Sequence, residues 1–289
     1  MTSPIKIPER LKGMTEWYPE MAPWIDDLPR LVEELRDRWS LQVGEPYEGE
    51  EMMGSWVAPV RRDDGSSAVL KIGFPHMEAQ HEIEGLRFWD GEPTVRLLDA
   101  DEALFSTLIE RCEPGSTLRE LPEEDQDVVV ADLLERLWRK PPEPNPFRPL
   151  SEMIVYWIEE TRGAPERWPD RGIVEDGLRA FEELISSSPG VPNVVLATDL
   201  HAGNILRAER EPWLVIDPKP FFGDPAYDLT QHFFNCDRLR TAPLQMLARM
   251  CDLTGADRER VRLWLFARSA AEERAEWAVD VARAVAPAP

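Results

Sequence analysis

The sequence predicts an α+β chain in two parts, a small β-rich first part and a larger helical second part. Three observations carry that expectation. Residues 55–60 and 68–72 are short apolar runs joined by the turn Asp63-Asp64-Gly65, the signature of a hairpin. A further strand-like run, 103–109, ends at the Pro114-Gly115 break. Beyond that break, apolar residues recur at helical spacing over 128–138, 150–157 and 174–185. At 289 residues the chain can bury one large core or two smaller ones.

Taken in order, Asp26-Asp27 precede Leu28, Leu31, Val32, Leu35 and Trp39, which predicts an amphipathic helix with an acidic first turn and Pro29 early in it. Residues 44–54 form a glycine-containing loop between the first two strands. Gly44, Gly49 and Gly54 let backbone approach a polyanion closely, provided Glu45, Glu48, Glu50 and Glu51 turn outward; the amides of Gly54 and Ser55 are the expected contributors. Lys71 is the only lysine of the hairpin and sits in an apolar run, where an uncompensated ammonium is costly. Its alternative is an edge-strand lysine reaching back to water. Residues 76–89, with Ile83 and Leu86 on the apolar side and Asp90-Gly91 at the end, read as a helix carrying three candidate partners: Glu78, Glu82 and Glu84.

In the second part, the helix over 128–138 closes on Arg139-Lys140, and the proline run 141–146 follows as a stiff connector. The tail predicts two helices, 242–253 and 256 to about 285. Glu272, Glu273 and Glu276 lie on the second, where a charged run is usually a solvated face but could meet a cationic molecule.

The chemistry is concentrated in Ala197-Thr198-Asp199-Leu200-His201-Ala202-Gly203-Asn204, then Val215-Ile216-Asp217, then Gly223-Asp224-Pro225-Ala226-Tyr227-Asp228. An Asp and an Asn five apart on a loop, followed by an Asp at the end of an apolar run, is what phosphoryl transfer requires. Asp199 is the candidate base toward an acceptor hydroxyl. Asn204 and Asp217 offer the few hard oxygens that Mg2+ takes from a protein. Lys71, on the third strand, can reach the α and β phosphates of ATP. Asp224 is expected as a helix N-cap with Pro225 at the first helical position, Asp228 inside that helix, and His201 as a support within the loop.

At these residues the chain resembles the aminoglycoside phosphotransferase superfamily, whose usual loop reads His-Gly-Asp-Leu-His-x-Gly-Asn. The longer match through Ile-Asp-Pro-Lys-Pro and Gly-Asp-Pro-Ala-Tyr-Asp looks most like its streptomycin 6-kinase and hydroxyurea phosphotransferase branch. The chain departs from that loop at Ala197 and Thr198. The resemblance implies a protein-kinase-like two-lobed fold, with residues 1–109 as the nucleotide-binding lobe, 110–115 as the hinge, and 116–289 as the helical lobe with catalytic loop and acceptor pocket. It also implies Glu82 as the partner of Lys71, and the backbone of Glu110 and Cys112 as contacts to the adenine edge. Transfer of the ATP γ-phosphoryl group to an aminoglycoside-like or hydroxyurea-like hydroxyl follows. Two other readings stay open: a non-catalytic nucleotide-binding regulator, suggested by Ala197 and Thr198, and a kinase of an amino sugar or other metabolite.

Other classes are excluded or disfavoured. There is no Gly-Lys-Ser/Thr of a Walker loop and no Gly-x-Ser-x-Gly elbow. Three dispersed cysteines, Cys112, Cys236 and Cys251, argue against a zinc site or disulfide framework and for a reducing cytoplasm. No apolar run approaches membrane-spanning length. The formal charge of −22 repels nucleic acid and favours a small, cationic acceptor. Monomer and dimer are both compatible with the sequence.

Overall fold

The computed structural model describes residues 5–49, 54–186, 193–272 and 275–287, the side chain of Glu78 excepted. Glu50, Glu51 and Glu273, named above, lie outside the described residues. The chain forms two compact units, Met1–Ser116 with Leu206–Ile216, and Thr117–Ile205 with Asp217–Pro289.

Unit 1 contains α1 (Glu9–Gly13), α2 (Ala22–Arg38), β1 (Gln42–Val43), β2 (Ser55–Arg61), β3 (Ser67–Gly73), α3 (Glu82–Trp89), β4 (Leu97–Asp101) and β5 (Ser106–Glu110). The strands make one antiparallel sheet in the order β1-β2-β3-β5-β4, with Val57 opposite Lys71 and Lys71 opposite Thr107. Successive side chains of a strand point to opposite faces. Thus Ala68, Leu70 and Ile72 of β3 join Trp56, Ala58 and Val60 in a core closed by Leu28, Val32 and Leu35 of α2. Val69 faces the other way, into a cluster with Leu86, Val95, Ile109 and Cys112. Lys71 shares the parity of Val69, which directs it toward the α3 side.

Helix α2 begins at Ala22, four residues before the predicted acidic start, and Pro29 stands inside it rather than in its first turn. The apolar stripe Ile25, Leu28, Leu31, Val32 and Leu35 is buried along one side, and that burial outweighs the roughly 3 kcal/mol an interior proline costs. The predicted helix over 76–89 is α-helical only from Glu82; Met77–His81 is a 3-10 turn. Asp90, in the left-handed conformation (φ 49°), and Gly91 end it.

Unit 2 is mainly helical: α4 (Glu123–Leu137), α5 (Leu150–Gly163) and α6 (Arg171–Ser186) precede β6 (Val194–Leu196). Next come β7 (Ile205–Arg207) and β8 (Trp213–Val215), a two-stranded ribbon. By chain order this ribbon falls in the helical part; instead Leu206–Ile216 belongs to unit 1, because Leu214, Leu206 and Ile216 complete the apolar cluster around Val69 and Leu86. Unit 2 resumes with β9 (Phe221–Gly223), α7 (Pro225–Phe234), α8 (Arg238–Thr241), α9 (Pro243–Thr254), α10 (Arg258–Ala267) and α11 (Glu276–Val285).

The single long tail helix predicted from about 256 is interrupted. α10 runs into a π-helical turn, Arg268–Glu272, and α11 starts afresh after Ala275 in extended conformation. Close packing fixes that turn, since a Cβ on Gly177 of α6 would lie 2.5 Å from the Ala270 Cβ. The Ala271 carbonyl accepts from the Thr161 hydroxyl at 2.8 Å, which supplies a partner where helical bonding is irregular. Among the described residues no helix is long and apolar enough to cross a membrane. The three cysteines are free and buried; burial pushes the thiols of Cys112 and Cys236 up to about 12 and that of Cys251 to about 11.

The ribbon reaches β5 through charge. Arg210 donates to both Glu110 oxygens (3.0 and 2.9 Å) and to the carbonyls of Gly91 and Thr94 (2.9 and 3.0 Å). Burial works to raise the Glu110 carboxyl, but the Arg210 fork and the Arg96 N–H hold it below the usual range. Arg210→Met leaves that half-buried carboxylate and two carbonyls without the guanidinium, and should lower unfolding stability by about 3 kcal/mol. Chemical denaturation measures it, and a change within the scatter of surface substitutions would contradict the assignment.

Candidate active site

In unit 1 the predicted nucleotide residues lie as follows. The Lys71 Nζ is 2.7 Å from each oxygen of Glu82, with both side chains nearly buried. Of the candidate carboxylates, Glu82 is therefore the partner, sitting at the first position of α3 where a negative charge also meets the helix dipole favourably. Gly54 has φ 78°, and its carbonyl accepts from the Phe74 N–H at 2.7 Å as β2 begins at Ser55. Nearby, Glu48 pairs with Lys6 at 2.9 Å. The Glu110 N–H is spent on the Arg96 carbonyl (2.9 Å), so only its carbonyl could face an adenine. Cys112 follows as irregular backbone with its thiol side in the apolar cluster. Gly115 closes this turn at φ 79°, where a Cβ would meet the Cys112 carbonyl at 2.9 Å.

In unit 2, β6 and β9 pair antiparallel with Leu196 opposite Phe221. The segment leaving β6, residues 197–204, and the one entering β9, residues 217–220, therefore emerge side by side. The Ala197 carbonyl accepts from both the Asp199 N–H (2.7 Å) and the Lys219 N–H (2.9 Å). Asn204 donates its amide to the Asp199 carbonyl at 3.0 Å, tying the two ends of the loop. The His201 Nδ1 accepts from the Gly203 N–H at 3.1 Å.

The Asp199 carboxylate is held on both oxygens. Lys219 Nζ lies 2.6 Å from Oδ2, and Gln231 Nε2 lies 2.8 Å from Oδ1. The His201 Nε2 stands 3.9 Å from Oδ1. Sequence reasoning assigned no role to Lys219 or Gln231. Lys219 is the lysine of the Asp-Pro-Lys-Pro string, and Gln231 lies three residues after Asp228 on α7, a spacing that puts both on one helix face.

Asp224 caps α7, accepting from the Ala226 N–H at 3.0 Å with Pro225 at the first helical position, and also accepts from Arg260 (2.6 Å) and the Trp264 indole (2.7 Å). Asp228 is fully buried and takes three donors: the N–H groups of Ala197 (3.0 Å) and Thr198 (2.8 Å) and the Trp138 indole (3.1 Å). Burial pushes its carboxyl up to about 6, against the pull of those donors. Asp228 thus anchors the first two residues of the loop that leads to Asp199. Thr198 is left-handed (φ 49°), the conformation for which glycine is the usual residue, and its hydroxyl donates to the Lys219 carbonyl at 2.5 Å.

Residues 38–282 match the family model described as aminoglycoside/hydroxyurea antibiotic resistance kinase. The chain belongs to this family of antibiotic-type small-molecule kinases. It is accordingly a phosphotransferase. A streptomycin 6-kinase of Streptomyces glaucescens is 41% identical over 232 residues, 78% of this chain and 73% of the relative. A hydroxyurea phosphotransferase of Kitasatospora aureofaciens is 36% identical over 251 residues, 85% of this chain and 72% of the relative. Among solved structures, LicA in complex with AMP (TM-score 0.59, 14% identity, 89% of this chain and 96% of that one) shares the fold. So does the aminoglycoside phosphotransferase APH(4)-Ia with ADP and hygromycin B (TM-score 0.56, 18% identity, 88% and 96%). The fold is therefore protein-kinase-like.

The donor set of the kinase's proposed metal residues suits Mg2+. Asn204 spends its amide nitrogen on Asp199, which leaves its amide oxygen as the hard donor, and Asp217 presents a carboxylate from a left-handed backbone (φ 51°). Among the described residues there is no group of three or more His, Cys, Asp or Glu that could hold a metal ion. Glu272, considered above for a cationic acceptor, has both oxygens on Arg268 (2.5 and 2.7 Å).

Two variants test the loop's supports. Thr198→Ala loses the hydroxyl bond while keeping the strained backbone, whereas Thr198→Gly loses the bond but relieves the strain. Thr198→Gly should therefore be the more stable by about 1 kcal/mol in denaturant titrations, and the reverse order would contradict a strained Thr198. For Asp228, the folded value of about 6 lies above the ordinary value of 3.8, so its contribution to stability is full below about pH 4 and lost as pH rises through about 6. The stability advantage of wild type over Asp228→Asn should be larger at pH 4.5 than at pH 7.5, and a gap that grows with pH would contradict it.

Proposed function

We propose that this kinase transfers the γ-phosphoryl group of ATP to a hydroxyl of a small molecule, with a streptomycin-type aminocyclitol as first acceptor and hydroxyurea as second. The observation that carries the proposal is the Asp199 carboxylate, ordered by Lys219 and Gln231 and tied to Asn204 through its own carbonyl. Identity of 36–41% to relatives that carry those two activities supports the choice of acceptors.

Each residue has a role in that reading. Asp199 accepts the hydrogen bond of the acceptor hydroxyl, orients it, and takes its proton as the new bond to phosphorus forms. Lys219, 2.6 Å from the same carboxylate, brings a cation to where the transferred group gains negative charge. Lys71, held by Glu82, binds the α and β phosphates. Gly54 and Ser55 offer backbone N–H groups to the phosphates, and the Glu110 carbonyl and Cys112 N–H meet the adenine edge. Asn204 and Asp217 would hold Mg2+, which would supply neutralisation of phosphate charge. The overall charge of −22 raises the local concentration of a cationic acceptor.

The test is transfer of label from ATP, in the presence of magnesium, to a panel of streptomycin, other aminoglycosides, hydroxyurea and amino sugars. Streptomycin should be labelled, and Asp199→Ala should reduce the rate about 10²- to 10⁴-fold. Equal turnover by that variant, or no labelled acceptor from a protein that binds ATP, would contradict the proposal.

A further inference from the structure

Asp199 is oriented from a distant part of the chain. Arg268, in the π-helical turn, is 4% exposed, and its Nη2 donates to the Gln231 Oε1 at 3.0 Å. A primary amide has one acceptor end and one donor end. With Oε1 committed to the guanidinium, the Nε2 end must face the Asp199 Oδ1, where it lies at 2.8 Å. Reversed, the amide would present its oxygen to a carboxylate and its N–H₂ to a guanidinium, two repulsive contacts at once.

The guanidinium itself cannot drift. Its Nε and Nη2 donate to Glu272 (2.5 and 2.7 Å), and Nη1 donates to the Thr230 hydroxyl at 2.7 Å. The rings of Phe234, Tyr227 and Trp157 surround its Cζ at 4.8, 4.9 and 5.7 Å, which favours the cation and fixes its plane. The i,i+4 pair with Glu272 supplies the counter-charge a buried guanidinium needs.

We propose that Gln231 and Arg268 are positioning residues for phosphoryl transfer: Arg268 sets the direction of the Gln231 amide, and that amide sets the rotation of the Asp199 carboxylate. Lys219 at 2.6 Å and the Asn204 Nδ2 at 3.4 Å hold Oδ2, and the Gln231 amide holds Oδ1, which leaves the second lone-pair direction of Oδ1 for the acceptor hydroxyl. Arg268 acts only through Gln231, and Gln231 acts through the Asp199 carboxylate. The inference rests on the reading of Asp199 as the residue that takes the acceptor proton.

The experiment compares wild type, Gln231→Leu, Arg268→Lys, the double variant and Asp199→Ala, by steady-state kinetics with the acceptor found in the panel and by crystal structures of wild type and Gln231→Leu. Gln231→Leu should lower kcat by about 100-fold, as a misplaced catalytic group does, with the KM for ATP unchanged, the fold retained at the assay temperature and the Asp199 carboxylate rotated. Arg268→Lys keeps the charge but loses the fork, so it should lower kcat too, and the double variant should be no slower than Gln231→Leu alone. An unmoved Asp199 carboxylate in Gln231→Leu, a wild-type kcat in that variant, or losses that multiply in the double variant would overturn the proposal. Should Arg268→Lys fail to fold, the Gln231→Leu kinetics and structure still decide. Full activity in Asp199→Ala would instead strike the reading of Asp199 itself, whatever Gln231 does.

Discussion

The Asp199 carboxylate, bonded at one oxygen to the Lys219 ammonium and at the other to the Gln231 amide, is the constraint around which unit 2 is arranged. A freely rotating carboxylate would have to be ordered at each turnover, at a cost in side-chain entropy. Here that ordering is built in during folding. The β6–β9 pairing puts the two loops together, Asp228 pins the backbone of Ala197 and Thr198, and the π-helical turn directs the Gln231 amide through Arg268. In phosphoryl transfer the protein's work is mostly positioning and charge stabilisation, so a scaffold spent on orientation suits the reaction.

Unit 1 obeys the same rule about interior charge. Lys71 lies on a strand whose residues from Ala68 to Gly73 are all buried, and it is tolerable there because Glu82 meets it with both oxygens. Glu110 is tolerable at the end of β5 because Arg210 arrives from the β7–β8 turn. Each pair joins elements that also share one apolar cluster, α3 with β3 and the β7–β8 ribbon with β5. The acidic surface does not enter these pairings; it acts at longer range, on what approaches the molecule.

The sequence was most legible where chemistry forces a residue type at a fixed spacing. The N-cap Asp224 with Pro225 and the need of Lys71 for a carboxylate were readable, and Asp199, Asn204 and Asp217 stood out as candidates, because each breaks a local pattern. Glu82 needed the family register to separate it from Glu84, since both lie on the same short helix. The partners of the site were not readable. Lys219, Gln231 and Arg268 stand 20, 32 and 37 residues from the groups they hold, and nothing in local periodicity marks a polar residue whose partner is brought in by tertiary packing. The same holds for Arg210, 100 residues from Glu110. Backbone effects were hidden too: Thr198 stands at φ 49°, a conformation glycine adopts most easily, and a β-branched residue gives no sign of it. The break between α10 and α11 was missed because an arginine- and alanine-rich run has high helix propensity throughout, and propensity does not report a π-turn.

The most direct measurement is a crystal structure of the kinase with magnesium, a non-hydrolysable ATP analogue and streptomycin. The account predicts a streptomycin hydroxyl oxygen about 2.7 Å from the Asp199 carboxylate, in line with the terminal phosphorus, with Gln231 and Lys219 still on Asp199. An acceptor hydroxyl approached by some other base, with the Asp199 carboxylate turned away from it, would contradict the account.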